Sequence, residues 1–529
     1  MKFIKNRRHI LCKLCHKDKK ILFSLLCLLI LFGATIGRSF FFLIYPESNF
    51  DADQAVYGIM ALDIAQGRSF PLTFYGQKYL MAIHSWMAAP LFSLFTPSIT
   101  TLKTPLFILN LLVVLFLFKL SLSQPKINKT AALAICMILA AAPVALSARL
   151  MAAEGASIGV FLHILCIWQL RKSPLFMGLY LGVFYLHREF ILYGFLALIV
   201  LDVINGLSGC GQTIKNAFKN HLTTLFTAIL TYNVIVGMGY HFKLFWGPGR
   251  PPMPMMAPSS LWDHLAWGFS HNIIDLMGFK SSPNSLFGIV SHGYTTPEIL
   301  AISCLLLFGV YAVKVSFLGV KWWRQHKKKV EQIGFWIYLL LVGLGSMSAY
   351  SLFVSINNAS VSRYCLLNIL FPIGLVGIGF YLQESLKGVG IRKGMRLFSI
   401  FFCCLLVASS GIGHLKLYEE YRYTQPKSVH HKILKELKEA KIEYALANYW
   451  EAYHLSFLSG ERVVVASRDH VRVERYQKKL ARHAEHNGAF ALIQKEKCRM
   501  PSDLIKRVDD FFICRGALKD LENLPRLSS

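Results

Sequence analysis

The chain has 529 residues, of which 54% are hydrophobic and only 16% are charged. A soluble domain carries roughly a quarter charged residues, and repeated apolar runs of about 20 residues indicate a polytopic membrane protein. The formal net charge of +28 would suit a nucleic-acid-binding protein, but the basic residues cluster in short loops between apolar runs. That distribution is typical of positive-inside topology and argues against nucleic acid as a partner.

The apolar runs predict eleven membrane spans, preceded by a basic, cytoplasmic N-terminus at residues 1–20. The fifth and sixth spans are short and could form either a tight hairpin or a single bent span. An N-terminus on the inside predicts a bacterial inner membrane protein whose odd-numbered spans run outward. The predicted spans are 21–45, 101–120, 130–148, 155–170, 174–187, 189–204, 221–240, 297–318, 333–355, 363–382 and 396–414.

Two long loops are predicted on the outer side, at 46–100 and 241–296. In the first, the pattern from Asp53 to Gln66 predicts a short helix that ends at Gly67 and lies in the plane of the membrane interface. The second begins with a Pro-rich segment and continues as an aromatic amphipathic stretch suited to the same interface. The apolar face of the first-loop helix is formed by Val56, Tyr57, Met60 and Ile64.

Three carboxylates stand close together in "NFDADQAVYGIMALDIAQG", at Asp51, Asp53 and Asp63. From the spacing alone, Asp51 or Asp53 caps the helix, because Asp is a preferred N-cap residue. Asp63, on the body of the helix, is predicted to face solvent or lipid headgroups. A divalent cation held by two acids and nearby histidines is a further possibility, although no compact ligand set appears in the sequence.

The tail at 416–529 changes character and predicts a small α/β domain. A helix around 428–440 leads to the strand "IEYALAN", a helix around 450–459 and the strand "RVVVAS". An odd number of spans places this domain outside the cytoplasm. Cys498 and Cys514, the cysteines of the tail, could pair there or remain as two free thiols.

The predicted outer face holds the groups needed to use a lipid-linked sugar. Such a donor carries its own leaving group, so the protein must deprotonate an acceptor hydroxyl and stabilise charge on the departing phosphate. A carboxylate suits the first task, and Arg, Lys or His suits the second. The candidate carboxylates are Asp51, Asp53, Asp63 and Glu154, and the candidate cations are Lys78, His84, Arg149, His187, Arg188 and Arg363.

Three stretches also resemble a known family. "DADQAVYGIMALDIAQGRSFPLTFYGQKYLMAIHSW" resembles the first outer loop of GT-C glycosyltransferases of the protein O-mannosyltransferase and aminoarabinose lipid A transferase type. "SRYCLLNILFP" resembles the Arg-Tyr start of a late span in the same families. "YALANYWEAYHLSFLSGERVVV" resembles the outer domain of uncharacterised bacterial members.

The resemblance implies an α-helical polytopic GT-C membrane domain at 21–415, with about 11 transmembrane helices and an extracytoplasmic α/β domain at 416–529. It implies transfer of a sugar from a polyprenyl phosphate to an acceptor hydroxyl, with inversion, on a glycan, lipid or protein acceptor. Asp53 would be the catalytic base and Asp51 an extra acid, while Gln54 stands where the family pattern has Glu. The residues implied near the donor phosphate are Arg363, Tyr364, Arg149, Lys78, His84 and Arg188.

Other interpretations stay open at this stage. A polytopic transporter or flippase of a lipid-linked glycan would share the spans, as would a non-catalytic scaffold for envelope assembly. Arg363 could snorkel from a span end, and Arg38, late in the first span, could snorkel or point inward. His187 and Arg188 could form a locally satisfied turn rather than part of a site.

Overall fold

The computed structural model describes residues 2–155, 157–209, 214–241, 262–263, 298–353, 359–384, 389–424, 428–486, 489–498 and 503–516. Most of the predicted second outer loop, 241–296, therefore lies outside the described residues. Within these ranges, a helical membrane part is followed by a small α/β domain. The helices of the membrane part are α1 (Lys2–Ile44), α2 (Ala52–Ala65), α3 (Ile83–Leu94), α4 (Ile99–Leu122), α5 (Lys129–Ala140), α6 (Val144–Leu150), α7 (Ile158–Leu170), α8 (Pro174–Phe184), α9 (Ile191–Leu207), α10 (Ile214–His241), α11 (Glu298–Gln325), α12 (Gly334–Phe353), α13 (Leu370–Gln383) and α14 (Val389–Thr424).

Within the described part of the chain, seven helices are long and apolar enough to cross a membrane, and a bent pair makes an eighth candidate. Three further predicted spans correspond to α7, α8 and α9, which are apolar but shorter than 18 residues. Every predicted span thus overlaps an observed helix, and the prediction of a multi-pass membrane protein is confirmed. The last helix, α14, continues to Thr424, ten residues beyond its predicted end at 414.

The third predicted span, 130–148, is broken within its length, because α5 and α6 meet at an angle of 80°. Pro143 lies at the break and lacks the N–H that would continue a helix. Arg38, which is only 2% exposed, donates from Nε to the freed Ala140 carbonyl at 3.0 Å. His414 Nε2 bonds the Ala142 carbonyl at 3.0 Å. Arg38 therefore holds the bend and does not snorkel to the surface.

Glycines allow the short apolar helix α8 to pack closely on the long helix α10. Gly178 and Gly182, four residues apart on α8, face α10, and a Cβ on either would lie 2.6 Å from a carbonyl oxygen of that helix. Small residues at this spacing let helix backbones approach each other in a membrane, where packing replaces the hydrophobic effect as the driving force. The pair α8–α10 is therefore specified by sequence even though α8 is only 11 residues long.

The first-loop helix α2 has almost the predicted bounds. The Asp51 side chain caps it by accepting from the Gln54 amide at 3.0 Å, and it ends before Gly67, whose φ of +67° favours glycine. Nearly every residue from Ala52 to Asp63 is buried, so the predicted apolar face of α2 packs against protein. The helix is covered by α3 on one side and by the C-terminal domain on another.

The C-terminal domain forms a five-stranded sheet in the order β2-β1-β3-β5-β4, with helices packed against it. β1 pairs in parallel with β2 and β3, while β5 pairs antiparallel with β3 and β4. The predicted alternation of helices and strands is confirmed, and Cys498 and Cys514 form a disulfide. Its elements are α15 (Val429–Glu439), β1 (Tyr444–Ala447), α16 (Tyr449–Leu458), β2 (Val464–Ser467), α17 (Glu474–Glu485), β3 (Ala491–Gln494), β4 (Leu504–Val508) and β5 (Phe511–Arg515).

The C-terminal domain is seated directly on the first outer loop. Helix α16 packs on α2, with the Phe457 ring against Gly58. The same ring lies 5.6 Å from Phe50 and 6.2 Å from Phe92, measured between ring centroids. This apolar contact brings the start of α16 next to the start of α2, where the candidate carboxylates lie.

Candidate active site at the start of the first-loop helix

Asp51 and Asp53 lie at the first turn of α2, where both face other charged groups. Burial raises the pKa of the half-buried Asp51 to about 7, and the negative charges of Asp53 and Glu154 add to the effect. The Gln54 amide and Arg149 act in the opposite direction. Asp51 therefore caps α2, and its surroundings favour the protonated form of its carboxyl more than water does.

Gln54 joins the start of α2 to the turn that follows α6. Its side chain is fully buried, and its Nε2 donates to the Asn49 carbonyl at 2.8 Å. Its Oε1 accepts from the Ala153 amide at 2.9 Å. An amide can donate and accept at once, whereas an ionised carboxylate only accepts. This accounts for Gln at a position where the family pattern has Glu.

Arg149 and Glu154 lie beside these carboxylates. Arg149 Nη1 is 3.2 Å from Glu154 Oε1, and both side chains are buried. Arg149 belongs to α6, which packs against the 3-10 helix Ala359–Ile369. That helix carries Arg363 and Tyr364, so these two predicted phosphate-binding residues belong to an element adjacent to that of Arg149. The side chain of Arg363 lies outside the described part, while the Tyr364 ring packs at 5.8 Å on Phe190.

His84 and Arg188 lie on the other side of Glu154. His84 is 3% exposed and contacts Ser157 Oγ at 3.4 Å, and burial lowers its pKa to about 4. At neutral pH it therefore offers a neutral imidazole rather than a cation. Arg188 lies against Gly155, where a Cβ would clash with the guanidinium, and its Nε has no hydrogen-bond partner among the described residues.

Lys78 and His187, the two remaining predicted groups, have contacts of their own. Lys78 places its ammonium over the Tyr240 ring, 5.2 Å from the centroid. His187 Nδ1 is hydrogen-bonded to His163 Nε2 at 2.8 Å, and the His187 ring lies 5.7 Å from the ring of His84. Within the described ranges, no group of three or more His, Cys, Asp or Glu side chains has the arrangement of a metal site.

Asp63 is not solvated, contrary to the prediction. It is fully buried, lies 2.7 Å from Arg68 and 2.6 Å from Arg475, and accepts from the Tyr75 hydroxyl at 2.7 Å. The prediction failed because Arg475 belongs to α17 of the C-terminal domain, which covers this face of α2. Asp63 thus contributes to the contact between domains and not to the carboxylate group at the helix start.

Two contacts of the site have no local signal in the sequence. Tyr449, the first residue of α16, donates its hydroxyl hydrogen to Asp53 Oδ1. Lys103 of α4 is buried and donates to the Pro46 carbonyl at 2.6 Å and to the Asn49 side chain. Lys103 falls within a predicted span and Tyr449 within a tail whose aromatic residues resemble a domain core. Only the aromatic run "ANYWEAY" could have drawn attention to Tyr449.

The fold of the whole chain is similar to that of membrane proteins of known structure. The crystal structure of ArnT from Cupriavidus metallidurans bound to undecaprenyl phosphate superposes with a TM-score of 0.52 at 11% identity, covering 95% of this chain and 99% of that chain. The chain has an ArnT-like fold. The apo structure of the same ArnT gives a TM-score of 0.50 at 9% identity, over 96% of this chain and 99% of that chain.

The ArnT-like fold confirms the predicted architecture, a helical multi-pass membrane part followed by a small α/β domain. Neither a protein-family model nor a curated protein matches the sequence. The likeness to ArnT therefore concerns the fold, and residue roles in this chain rest on its own geometry.

Proposed function

We propose that the chain is a GT-C glycosyltransferase that moves a sugar from a polyprenyl phosphate to an acceptor hydroxyl at the outer face of a bacterial inner membrane. The observation that carries the proposal is the ArnT-like fold over 95% of the chain, since the matching ArnT structure is bound to undecaprenyl phosphate. The carboxylates at the start of α2, with Arg149 and Glu154 beside them, supply a site within that fold.

In the proposed reaction, Asp53 accepts the proton of the acceptor hydroxyl as that oxygen attacks the anomeric carbon. The bond from the anomeric carbon to the phosphate oxygen breaks, and its electron pair leaves with the polyprenyl phosphate. Attack from the side opposite the phosphate inverts the anomeric centre. The base is assigned to Asp53 because Asp51 already caps α2 with its carboxylate.

The departing phosphate gains negative charge, which the proposal assigns to nearby cations and donors. Arg149 and Arg188 suit this task because a guanidinium presents several N–H groups to phosphate oxygens. His84, which is neutral at pH 7, would donate one N–H. Arg363 and Tyr364 complete the proposed phosphate site, because the 3-10 helix that carries them packs on the helix of Arg149. Lys78, which lies over the Tyr240 ring, remains a weaker candidate for the same task.

The experiment compares Asp53→Asn with Asp51→Asn in full-length protein purified in detergent. Asn caps a helix as well as Asp does, so both variants should keep α2. Loss of a general base lowers rates by about 10²–10⁴-fold, and we expect this for Asp53→Asn but less than a tenfold loss for Asp51→Asn. The measurement is transfer of label from a panel of polyprenyl phosphates that carry labelled sugars to acceptors in reconstituted membranes.

Transfer by Asp53→Asn at the wild-type rate would refute the assignment of the base. If no donor in the panel supports transfer while labelled lipid crosses the reconstituted bilayer, the protein is a flippase instead. If it neither transfers nor moves these lipids and does not bind undecaprenyl phosphate, the enzyme proposal fails in favour of a scaffold.

A further inference from the structure

We propose that Tyr449 of the C-terminal domain is a positioning residue for Asp53, so that the active site is complete only when this domain is docked on α2. The inference rests on the proposed function. It assigns to the C-terminal domain a part in the reaction, where the sequence indicates only a separate folded unit.

The central contact crosses between the two parts of the chain. The Tyr449 hydroxyl donates to Asp53 Oδ1, and the two residues are 396 positions apart in sequence. Tyr449 is only 4% exposed, and Arg472 can only donate to its hydroxyl, so loss or rotation of Asp53 would take away the carboxylate acceptor of a buried hydroxyl. The hydrogen bond leaves the second carboxylate oxygen of Asp53 available for an acceptor hydroxyl.

Tyr449 is itself held in place within the C-terminal domain. Its backbone N–H donates to Asp469 Oδ1 at 2.8 Å, at the start of α16. The guanidinium of Arg472 lies 5.8 Å from the centroid of its ring. The backbone and the ring of Tyr449 are therefore held within the C-terminal domain, while its hydroxyl contacts α2.

Other contacts hold the domain in place independently of that hydroxyl. Arg472 Nη1 donates to the Gly76 carbonyl at 2.8 Å, and Gly76 has a φ of +71° that favours glycine. Arg475 pairs with Asp63, and Phe457 packs on Gly58. Removal of one hydroxyl at Tyr449 should therefore leave the domain docked, which makes its effect on Asp53 separable from undocking.

The chemistry of the contact fits positioning rather than proton transfer by Tyr449. Burial raises the pKa of Tyr449 well above its usual value, and the adjacent Asp53 charge raises it further, so the phenol stays protonated. A phenol that stays protonated donates to the carboxylate and favours its ionised form. It also restricts rotation of the carboxylate, which a base must present in one geometry.

The test compares Tyr449→Phe with Tyr453→Phe in the full-length protein. Tyr453 lies one turn further along α16, and its buried hydroxyl accepts from the backbone N–H groups of Arg472 at 2.6 Å and Val473 at 3.2 Å. The two variants remove the same atom from the same helix. Tyr453→Phe removes hydrogen bonds made within the C-terminal domain, so it reports the cost of losing a buried hydroxyl without contact to Asp53.

We expect Tyr449→Phe to lower kcat about tenfold or more with the donor KM within about twofold, because hydrogen bonds to charged groups are strong. We also expect the acid limb of its kcat/KM profile to move up by about one pH unit, since the ionised base loses a donor. Tyr453→Phe should lower the melting temperature and leave the acid limb in place. Only folded protein contributes to the measured rate, so a smaller folded fraction lowers the rate at every pH and does not move the acid limb.

An unmoved acid limb and an unchanged kcat in Tyr449→Phe would overturn the inference, and loss of activity in Asp53→Asn would then leave the proposed function standing. An increase in kcat would also overturn it, because Tyr449 would be blocking the base. Full activity in Asp53→Asn would reject both the inference and the base assignment. Equal shifts of the limb in both Tyr variants would show a general effect of the domain, against a specific role for Tyr449.

Discussion

At the residue scale, Gln54 departs from the family pattern and is nevertheless fully hydrogen-bonded at both ends of its amide. The family pattern has an acid here, and this chain has an amide whose two ends bond the Asn49 carbonyl and the Ala153 amide. A Glu at this position would also add a negative charge next to Asp51 and Asp53. Because the Gln54 side chain is buried, both the loss of its hydrogen bonds and the burial of an added charge would cost free energy.

Replacement of this amide by the family residue tests that explanation. We expect Gln54→Glu to reduce the free energy of unfolding by about 1–3 kcal/mol, because an ionised carboxylate cannot donate to the Asn49 carbonyl. The loss should shrink in acid, where a protonated carboxyl donates again. Thermal unfolding in detergent at about pH 8 and about pH 5 measures both effects.

Gln54→Met is the matched control, because it removes both hydrogen bonds of the amide without adding charge. Its loss of stability should not depend on pH. A Gln54→Glu protein that melts at the wild-type temperature at about pH 8 would contradict the assigned role of the amide.

At the scale of elements, four charged side chains connect α2 to the C-terminal domain. Glu461, in the turn after α16, lies 2.6 Å from Arg68 and 2.5 Å from Arg475. Arg475 also reaches the buried Asp63 of α2. Because Asp63 is fully buried, solvent screens the charges of this network less than it screens a surface ion pair. Protonation of its carboxylates therefore makes the docking of the C-terminal domain depend on pH.

We expect the contact between these elements to weaken in acid. Burial alone would raise the pKa of Glu461, but Arg475, Tyr476 and Arg68 outweigh it and hold the pKa below its usual 4.5. A carboxyl with a lowered pKa contributes stability that is present above about pH 4.5 and is lost as the pH falls through the folded-state pKa. Hydrogen exchange of the α2 amides, measured across this range, reports the contact.

The variant for this prediction is Glu461→Gln, which should flatten the acid dependence of α2 protection. Asp509→Asn is the control, because Asp509 pairs with Lys432 on the surface, where both side chains are about half exposed. The network is not responsible for the acid dependence if Glu461→Gln protein loses protection as steeply as the wild type does.

At the scale of the whole molecule, the disulfide in the tail bears on which side of the membrane the C-terminal domain lies. Cys498 and Cys514 are paired in the structure, whereas the other cysteines whose surroundings are described are free. Disulfides form and persist outside the cytoplasm. The pair therefore supports the proposed orientation, with the C-terminal domain and the start of α2 on the outer side.

We expect Cys498 and Cys514 to be oxidised in the protein isolated from cells under conditions that block exchange. In denatured protein, a maleimide polymer should label both only after reduction, and Cys498→Ser should expose one additional thiol without reduction. For a loop of this length, loss of the bond should cost the C-terminal domain about 3 kcal/mol. Complete labelling without reduction would place the tail in a reducing compartment and reject the outward orientation.

The sequence by itself determined the features that are local along the chain. Apolar length and loop charge predicted the spans, and alternating patterns predicted the helices and strands of the tail. The residue preference at helix starts limited the cap to Asp51 or Asp53, and the structure selects Asp51, which accepts from the Gln54 amide three residues away. The family resemblance added an expected fold, and the ArnT-like fold confirms its architecture of a multi-pass helical part followed by a small α/β domain.

Only the tertiary structure decided how these parts meet. The burial of Asp63 by Arg475 and the contact of Tyr449 with Asp53 each join residues about 400 positions apart. The 80° bend at Pro143 is stable because Arg38 and His414, from distant helices, bond the freed carbonyls. Hydropathy and periodicity describe one segment at a time, so they cannot show which distant side chain satisfies a buried charge or carbonyl.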